Sequence, residues 1–192
     1  MKKFPVVFDL ETKHTFREFP EPQKLGITVL SLYDYATGKG QVYTESELNN
    51  IFPIFEKASY IIGYNIITFD MRVLQPYYPG DVTHFAVFDI LDDIKNRIGR
   101  RLALNDVANA TLGKKKIGHG LMAIEYYKQG KWDELKKYCL EDTMITKELF
   151  EYGVRNKEIN YMNEVGKATI RVDWNKYMED SGNAETHMTL PF

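Results

Sequence analysis

Two acids interrupt an otherwise apolar segment near the start of the chain. Residues 4–12 read Phe-Pro-Val-Val-Phe-Asp-Leu-Glu-Thr, a pattern that predicts a buried strand. Side chains alternate along a strand, so Asp9 and Glu11 point to the same face, about 7 Å apart along the backbone. Two neighbouring anions are unfavourable unless a cation or a proton joins them. The two carboxylates therefore require a compensating cation, and a divalent metal ion is the obvious one.

The spacing of Asp9 and Glu11 is by itself weak evidence for a metal site. Asp and Glu account for 27 of the 192 residues, and at that frequency two acids one residue apart occur about four times by chance. Glu45-Ser46-Glu47 is such an occurrence, at what we interpret as the solvated start of a helix. The first pair differs because its setting is apolar and because further acids follow it.

Length and composition favour one domain of ordinary size, for which 44% hydrophobic residues provide an ample core. We expect the main domain to span residues 1–153, with a C-terminal hairpin and tail at 154–192 packed on it. The single cysteine, Cys139, excludes an internal disulfide and fits a reducing compartment. Acids interrupt the first apolar run too early for a signal peptide, and no segment has the length of a membrane span. We therefore expect a cytoplasmic protein without membrane contact.

The net charge of −2 does not favour binding to nucleic acid through bulk charge. A site of four carboxylates contributes −4, however, which bound divalent ions would cancel. Local basic clusters therefore matter more, and each also fits an ordinary solvated surface. The clusters comprise Arg97, Arg100 and Arg101, then Lys114, Lys115 and Lys116, then Lys131, Lys136 and Lys137.

The order of predicted elements indicates a mixed α/β fold. Strands at 4–12, 25–35 and 41–43 with tight connections suggest an antiparallel meander. Shorter strands at 59–64 and 85–90 alternate with helices, and a long helix spans 132–152. We expect a five-stranded mixed sheet with helices on both faces, followed by a hairpin near 158–174. Pro53 is expected to kink or end the helix that starts at Thr44.

Two later segments carry acids at the ends of predicted elements. Asp70 falls in the first turn of a helix that follows a strand ending at Gly63, where the helix dipole by itself favours an acid. Tyr138 and Asp142 lie four residues apart on the long helix and so share a face. Each segment is ordinary alone, and their order along the chain is what makes them informative.

Together these segments resemble a known family. Asp-x-Glu on a first strand, Asn-x-x-x-Phe-Asp at a later helix start, and Tyr-x-x-x-Asp on a late helix are similar to the three motifs of the DEDD 3′–5′ exonucleases. These enzymes have a ribonuclease H-like fold, and the tyrosine places the resemblance in the tyrosine subgroup. The nearest similarity is to proofreading-type and helicase-associated exonuclease domains. It extends over residues 6–174.

The resemblance implies a metal-dependent 3′–5′ exonuclease that acts on single-stranded ends and releases nucleoside monophosphates. It implies that two Mg²⁺ or Mn²⁺ ions are held by four acids, with Asp9 bridging both ions; hard carboxylate ligands suit these ions. Tyr138 would orient the attacking water, because a tyrosine with an ordinary pKa of about 10 is a poor base at neutral pH. The implied metal ligands are Asp9, Glu11, Asp70 and Asp142.

We predict that three residues contact the terminal nucleotide. Thr12 and Asn65 offer polar groups and Phe69 offers a stacking face, although Phe69 fits the hydrophobic core equally well. His14, His84 and His119 lack the spacing of metal ligands. DNA is the preferred substrate through the resemblance, with a helicase or a polymerase as the expected partner. RNA trimming and a non-catalytic nucleic-acid-binding module on the same fold are the alternatives.

Overall fold

A five-stranded mixed sheet forms the centre of the protein. The computed structural model describes residues 2–114 and 121–178, so Lys115, Lys116, His119 and the predicted tail beyond residue 178 lie outside the described residues. The spatial order of the strands is β3-β2-β1-β4-β5. The strands are β1 (Val6–Thr12), β2 (Ile27–Asp34), β3 (Lys39–Thr44), β4 (Ile61–Gly63) and β5 (Val87–Asp89).

Strand pairing confirms the predicted fold class. β1, β2 and β3 form an antiparallel meander, whereas β4 pairs in parallel with β1, and β5 pairs in parallel with β4. The carboxyl ends of β1, β4 and β5 therefore lie at the same edge of the sheet. In open α/β sheets this edge is where ligands usually bind.

Helices cover both faces of this sheet. The helices are α1 (Phe52–Lys57), α2 (Asp70–Leu74), α3 (Ile90–Ile98), α4 (Leu104–Leu112), α5 (Leu121–Lys128) and α6 (Trp132–Asn156). Val6, Phe8 and Leu10 of β1 join the core beneath α1 and α2. Val7, between them, joins the opposite core, which includes residues of α4 and α6. By strand alternation, Asp9 and Glu11 share the face of Val7, which is the face that α6 covers.

The segment after β3 shows how Pro53 shapes the chain. The Glu47 carboxylate accepts a hydrogen bond from the Thr44 backbone N–H at 2.8 Å, which is one half of a capping box, and a second from the Thr44 hydroxyl at 2.7 Å. The turn it starts is a 3₁₀ helix that ends at Asn50, and α1 begins afresh with Pro53 in its first turn. Proline lacks the backbone N–H that a continuous helix needs there, so the predicted interruption occurs at this position.

The chain continues past α6 into a two-stranded hairpin of β6 (Glu158–Asn163) and β7 (Gly166–Arg171). Strand β6 packs on α4 and α6. After β7, the fully buried Trp174 packs against Phe88 and Phe150, and its indole N–H donates to Asp93 at 2.9 Å. The hairpin thus contributes to the same core as α6, while the domain boundary expected at residue 153 stays a prediction.

Within the described residues, no helix combines the length and the apolar character that a membrane span requires. The longest helix, α6, carries charged residues along much of its length. The cytoplasmic location expected from the sequence stays a prediction.

Packing around Trp174 yields a stability prediction. A Cβ added at Gly153 would overlap the Trp174 ring, so Gly153→Ala should lower the free energy of unfolding by about 1–3 kcal/mol. In a Trp174→Leu background the ring is gone, and alanine's better helix propensity should make the same change neutral or stabilising by up to about 1 kcal/mol. Urea denaturation of the four proteins measures this coupling. An equal cost in both backgrounds would contradict the predicted overlap.

Candidate functional site

Three acids from two distant parts of the chain meet at the sheet edge described above. Asp9 and Glu11 on β1 and Asp142 on α6 each place a carboxylate oxygen within 4.8 Å of the others. Asp142 is 3% exposed, whereas Asp9 and Glu11 are partly exposed. The group is therefore closed by α6 on one side and open to solvent on the other.

The end of β1 is irregular where the acids lie. The pairing register with β2 shifts between Glu11 and Thr12, and the Thr28 hydroxyl donates to the Glu11 carbonyl at 3.0 Å. Such bulges turn a strand and redirect its side chains, and they are common beside functional sites. The carbonyl of Glu11 is thus fixed by a side chain, which holds the irregular backbone in place.

Small polar side chains let α6 approach the sheet closely. The Ser31 hydroxyl on β2 donates to the Cys139 carbonyl at 2.8 Å and also hydrogen-bonds with the Thr143 hydroxyl. The Cys139 thiol lies 3.6 Å from the Asp9 carbonyl as its donor. Burial raises the pKa of this thiol well above its ordinary value, so it stays protonated. These contacts fix the part of α6 from which Asp142 reaches the β1 acids.

Tyr138 lies one turn before Asp142 on α6. It is 4% exposed, and its ring meets that of Tyr126 edge-on, with 6.4 Å between centroids. Tyr126 belongs to α5, so this contact connects α5 to the helix that carries Asp142. Sequence spacing placed both Tyr138 and Asp142 on one helical face, and both side chains are buried on the sheet side of α6.

The fourth predicted acid, Asp70, lies beside this group rather than within it. It is the first residue of α2, is 3% exposed, and accepts a hydrogen bond from the Leu10 backbone N–H at 3.3 Å. Burial, together with a smaller effect of the nearby Asp89 carboxylate, raises the pKa of Asp70 to about 7. An ordinary helix-start acid would be solvated, so its burial against the backbone between Asp9 and Glu11 sets Asp70 apart.

Asp89 was not recognised as important from the sequence. At the end of β5 its carboxylate caps α3 through the Leu91 N–H at 3.0 Å, and it accepts the N–H groups of Asn65 and Ile67 at 2.8 and 3.0 Å. These bonds fix the loop that leads from β4 to Asp70. An acid between a short strand and a helix is a typical capping pattern, so the capping role of Asp89 could have been predicted from the sequence. No sequence pattern indicates its hydrogen bonds to Asn65 and Ile67.

Asn65 is held by this loop in a left-handed conformation, with φ of 70°. Its side-chain oxygen accepts hydrogen bonds from the Thr68 hydroxyl at 2.7 Å and from the Arg101 guanidinium. With the oxygen occupied twice, the amide NH₂ is the part of the side chain that remains to donate to a ligand. Asn65 does not line the cleft that contains the other two predicted substrate contacts.

Thr12 and Phe69 share a cleft of about 670 Å³. This volume falls in the range of about 300–1,000 Å³ that is typical of small-molecule sites. The Thr12 hydroxyl donates to the His14 carbonyl at 2.8 Å, and Phe69 packs partly against the core while one side faces the cleft. The two interpretations of Phe69, core residue and cleft wall, therefore both describe part of its surface.

Comparison with protein families identifies the fold. The model of the family described as the RNase_H superfamily matches residues 6–154, which includes all three acids of the group. The chain belongs to the RNase H superfamily. A comparison with curated proteins finds no match.

Among solved structures, the chain is similar to the family B DNA polymerase from the hyperthermophilic archaeon Pyrobaculum calidifontis. The TM-score is 0.61 and the identity 19%, with 80% of this chain and 25% of the polymerase chain covered. At that identity the similarity establishes the fold alone. The chain spans about a quarter of the polymerase's length, so the polymerase's activity as a whole does not transfer.

The donor set of this RNase H-like site fits a divalent metal ion. Three carboxylates converge, no soft ligand is among them, and such hard oxygen donors suit Mg²⁺ or Mn²⁺. Nucleases of this superfamily use divalent metals. Superfamily membership and the acidic group together indicate a nuclease that acts on nucleic acid.

If these acids bind a metal ion, the ion should increase the stability of the folded protein. An ion that binds only the folded protein raises its unfolding free energy in proportion to the logarithm of ion concentration above the dissociation constant. Mn²⁺ should therefore raise the melting temperature of the native protein and have little effect on Asp142→Asn, which loses one ligand. Glu134→Gln, an exposed acid on the same helix, is the matched control. An equal Mn²⁺ response in Asp142→Asn and the control would exclude the predicted site.

Proposed function

We propose that this protein is a metal-dependent 3′–5′ exonuclease that removes nucleoside monophosphates from single-stranded ends, with DNA as the preferred substrate. The observation that carries the proposal is the convergence of Asp9, Glu11 and Asp142 at one sheet edge, with the buried Asp70 hydrogen-bonded to the backbone between the first two. This arrangement supports membership of the tyrosine subgroup of the DEDD exonucleases, whose three motifs the sequence resembles.

In this proposal Asp9, Glu11, Asp70 and Asp142 hold two Mg²⁺ or Mn²⁺ ions. When bound, such ions stabilise charge on the phosphoryl oxygens and supply a hydroxide near neutral pH. A cation beside Asp70 would also favour its ionised form, which burial alone disfavours. Asp70 is included because a carboxylate buried against the strand that carries Asp9 and Glu11 is costly without a counter-charge.

Tyr138 is proposed as the residue that orients the attacking water. It lies one turn before Asp142, so both buried side chains share one face of α6. A phenol hydroxyl can donate to or accept from a water without changing its own protonation state. Thr12 and Phe69 would hold the terminal nucleotide in their shared cleft, and the Asn65 amide would donate to the substrate from the neighbouring loop.

The 3′–5′ direction and the preference for DNA rest on the family resemblance. Similarity in fold to a DNA polymerase supports a DNA context, and we propose a polymerase or a helicase as the partner. RNA remains the nearest alternative substrate, since recognition of the 2′-hydroxyl decides between the two.

Loss of a metal ligand should abolish hydrolysis. Asp9→Asn and Asp142→Asn should each lower the Mg²⁺-dependent shortening of 5′-labelled single-stranded DNA by at least about 10³-fold, because charge stabilisation by the ion would be lost. Glu134→Gln should retain full activity. The same panel with 3′-labelled DNA and with RNA, each with and without chelator, reports direction and sugar preference. Activity in Asp9→Asn equal to that of the native protein would contradict the proposal, and binding without hydrolysis would favour a non-catalytic module.

Tyr138→Phe separates water positioning from metal binding. Removing only the hydroxyl should lower kcat by about 10- to 100-fold, which is less than the loss of a group that itself transfers a proton, because Tyr138 is proposed only to position the water. The Mn²⁺-induced rise in melting temperature should not change, since the phenol is not proposed as a ligand. If Tyr138→Phe also lost the Mn²⁺ response, the assignment of Tyr138 to water would be wrong.

A further inference from the structure

The cleft that contains Thr12 and Phe69 continues beyond the residues with predicted roles. Its outer wall is formed by the loop 13–19, which follows β1, and by the face of α5 that carries Leu121, Ile124 and Lys128. The described lining of the cleft includes Thr12, the residue that follows Glu11, but none of the four predicted metal ligands, and the cleft runs between this loop and α5. None of the outer wall belongs to the three motifs.

Phe16 is an exposed aromatic residue of this wall, which also contains the exposed Leu121. Phe16 is 54% exposed, although a phenylalanine is normally buried, and its ring centroid lies 5.6 Å from that of Phe69. The two rings form a continuous aromatic surface that reaches from the core to the open end of the cleft. An exposed aromatic ring beside a site is a stacking surface for nucleic-acid bases, each of which has a flat π face.

The loop that carries Phe16 is held in shape by its own hydrogen bonds. Thr15 donates to the Glu18 carboxylate through its backbone N–H at 2.8 Å and its hydroxyl at 3.1 Å, and its carbonyl accepts from the N–H groups of Glu18 and Phe19 at 3.0 Å. His14 packs edge-on against Phe19, with 4.9 Å between ring centroids. Phe16 is thus presented by a pre-formed turn, which lowers the entropic cost of binding.

Two cations flank the exposed ring. Arg17 follows Phe16 directly, and Lys128 ends α5 across the cleft. In the described part of the chain, no carboxylate lies within ion-pair distance of either side chain, whereas Glu18 is engaged by Thr15 and by His14 at 3.5 Å. Lys128 also attracts the Glu18 carboxylate, which lines the same cleft. Cations beside an aromatic surface match the alternation of phosphate and base along a single strand.

We propose that the loop 13–19 and α5 form an extended single-strand subsite, in which Phe16 stacks on a base near the 3′ end while Arg17 and Lys128 contact phosphates. This proposal deepens the function proposed above and rests on it for the polarity of the strand. Because a base inside a duplex is stacked on both neighbours and cannot offer its face to Phe16, the subsite favours ends in which several nucleotides are unpaired.

Binding without metal tests this subsite separately from hydrolysis. In the presence of chelator, fluorescence anisotropy with 5′-labelled single-stranded DNA should show that Phe16→Ala weakens binding by about 5- to 100-fold, the range for loss of one base stack. Phe16→Trp should retain affinity because it keeps an aromatic face, and Phe16→Leu should not. Met162→Ala is the control, since Met162 is 57% exposed but lies on the separate hairpin.

A second variant and a modified substrate locate the contacts. Replacing one nucleotide at a time by an abasic residue over the last four positions of the 3′ end should weaken native binding at the stacked position. The same replacement should have no further effect on Phe16→Ala, because the two changes remove one interaction. Arg17→Gln should weaken binding to all sequences and lower the dependence of log K on log salt concentration by about 0.7.

The two proposals fail in different ways. Native affinity of Phe16→Ala for single-stranded DNA in chelator would overturn the subsite, even if the protein shortens DNA normally with Mg²⁺. The absence of hydrolysis in the native protein, together with Phe16-dependent binding, would overturn the exonuclease proposal and leave the subsite standing. Equal affinity for single-stranded and fully paired ends would also overturn the subsite.

Discussion

Mutual repulsion among carboxylates at the end of β1 is the constraint around which the rest of the protein is arranged. Asp9, Glu11 and Asp142 approach within 4.8 Å, and Asp70 is buried against the backbone beside them. Like charges at this distance oppose folding unless cations compensate them. The surrounding structure must therefore hold the acids in place through contacts elsewhere, and the hydrogen bonds of Ser31, Thr143 and Asp89 have this role.

Each acid is positioned by a rigid element rather than by a flexible loop. β1 is a central strand with a neighbour on both sides, and α6 is the longest helix and packs on β1 and β2. Asp70 begins a helix whose preceding loop is tied to Asp89 by two backbone hydrogen bonds. Sites built in this way keep their geometry without a ligand, which reduces the reorganisation that catalysis requires.

In the proposed function, the acidic group and the cleft have different roles, metal binding and substrate selection. In the proposed function the acids hold metal and have no means of choosing a nucleic acid, because every phosphodiester offers the same oxygens. Selection would fall to the aromatic and basic wall formed by Phe69, Phe16, Arg17 and Lys128. This division agrees with the small net charge of −2, since binding would depend on a local surface rather than on the charge of the whole molecule.

Local periodicity explains which features were predictable. A repeat of two residues places Asp9 and Glu11 on one strand face, a spacing of four places Tyr138 and Asp142 on one helical face, and the apolar pattern is enough to predict the mixed sheet. Tertiary structure alone decided that Asp70 meets the Leu10 N–H, that Asp89 ties two loops together, and that Phe16 lies exposed beside Phe69. These contacts join residues that are distant along the chain, or depend on what a neighbouring element leaves uncovered. The period of a single segment carries no information about either.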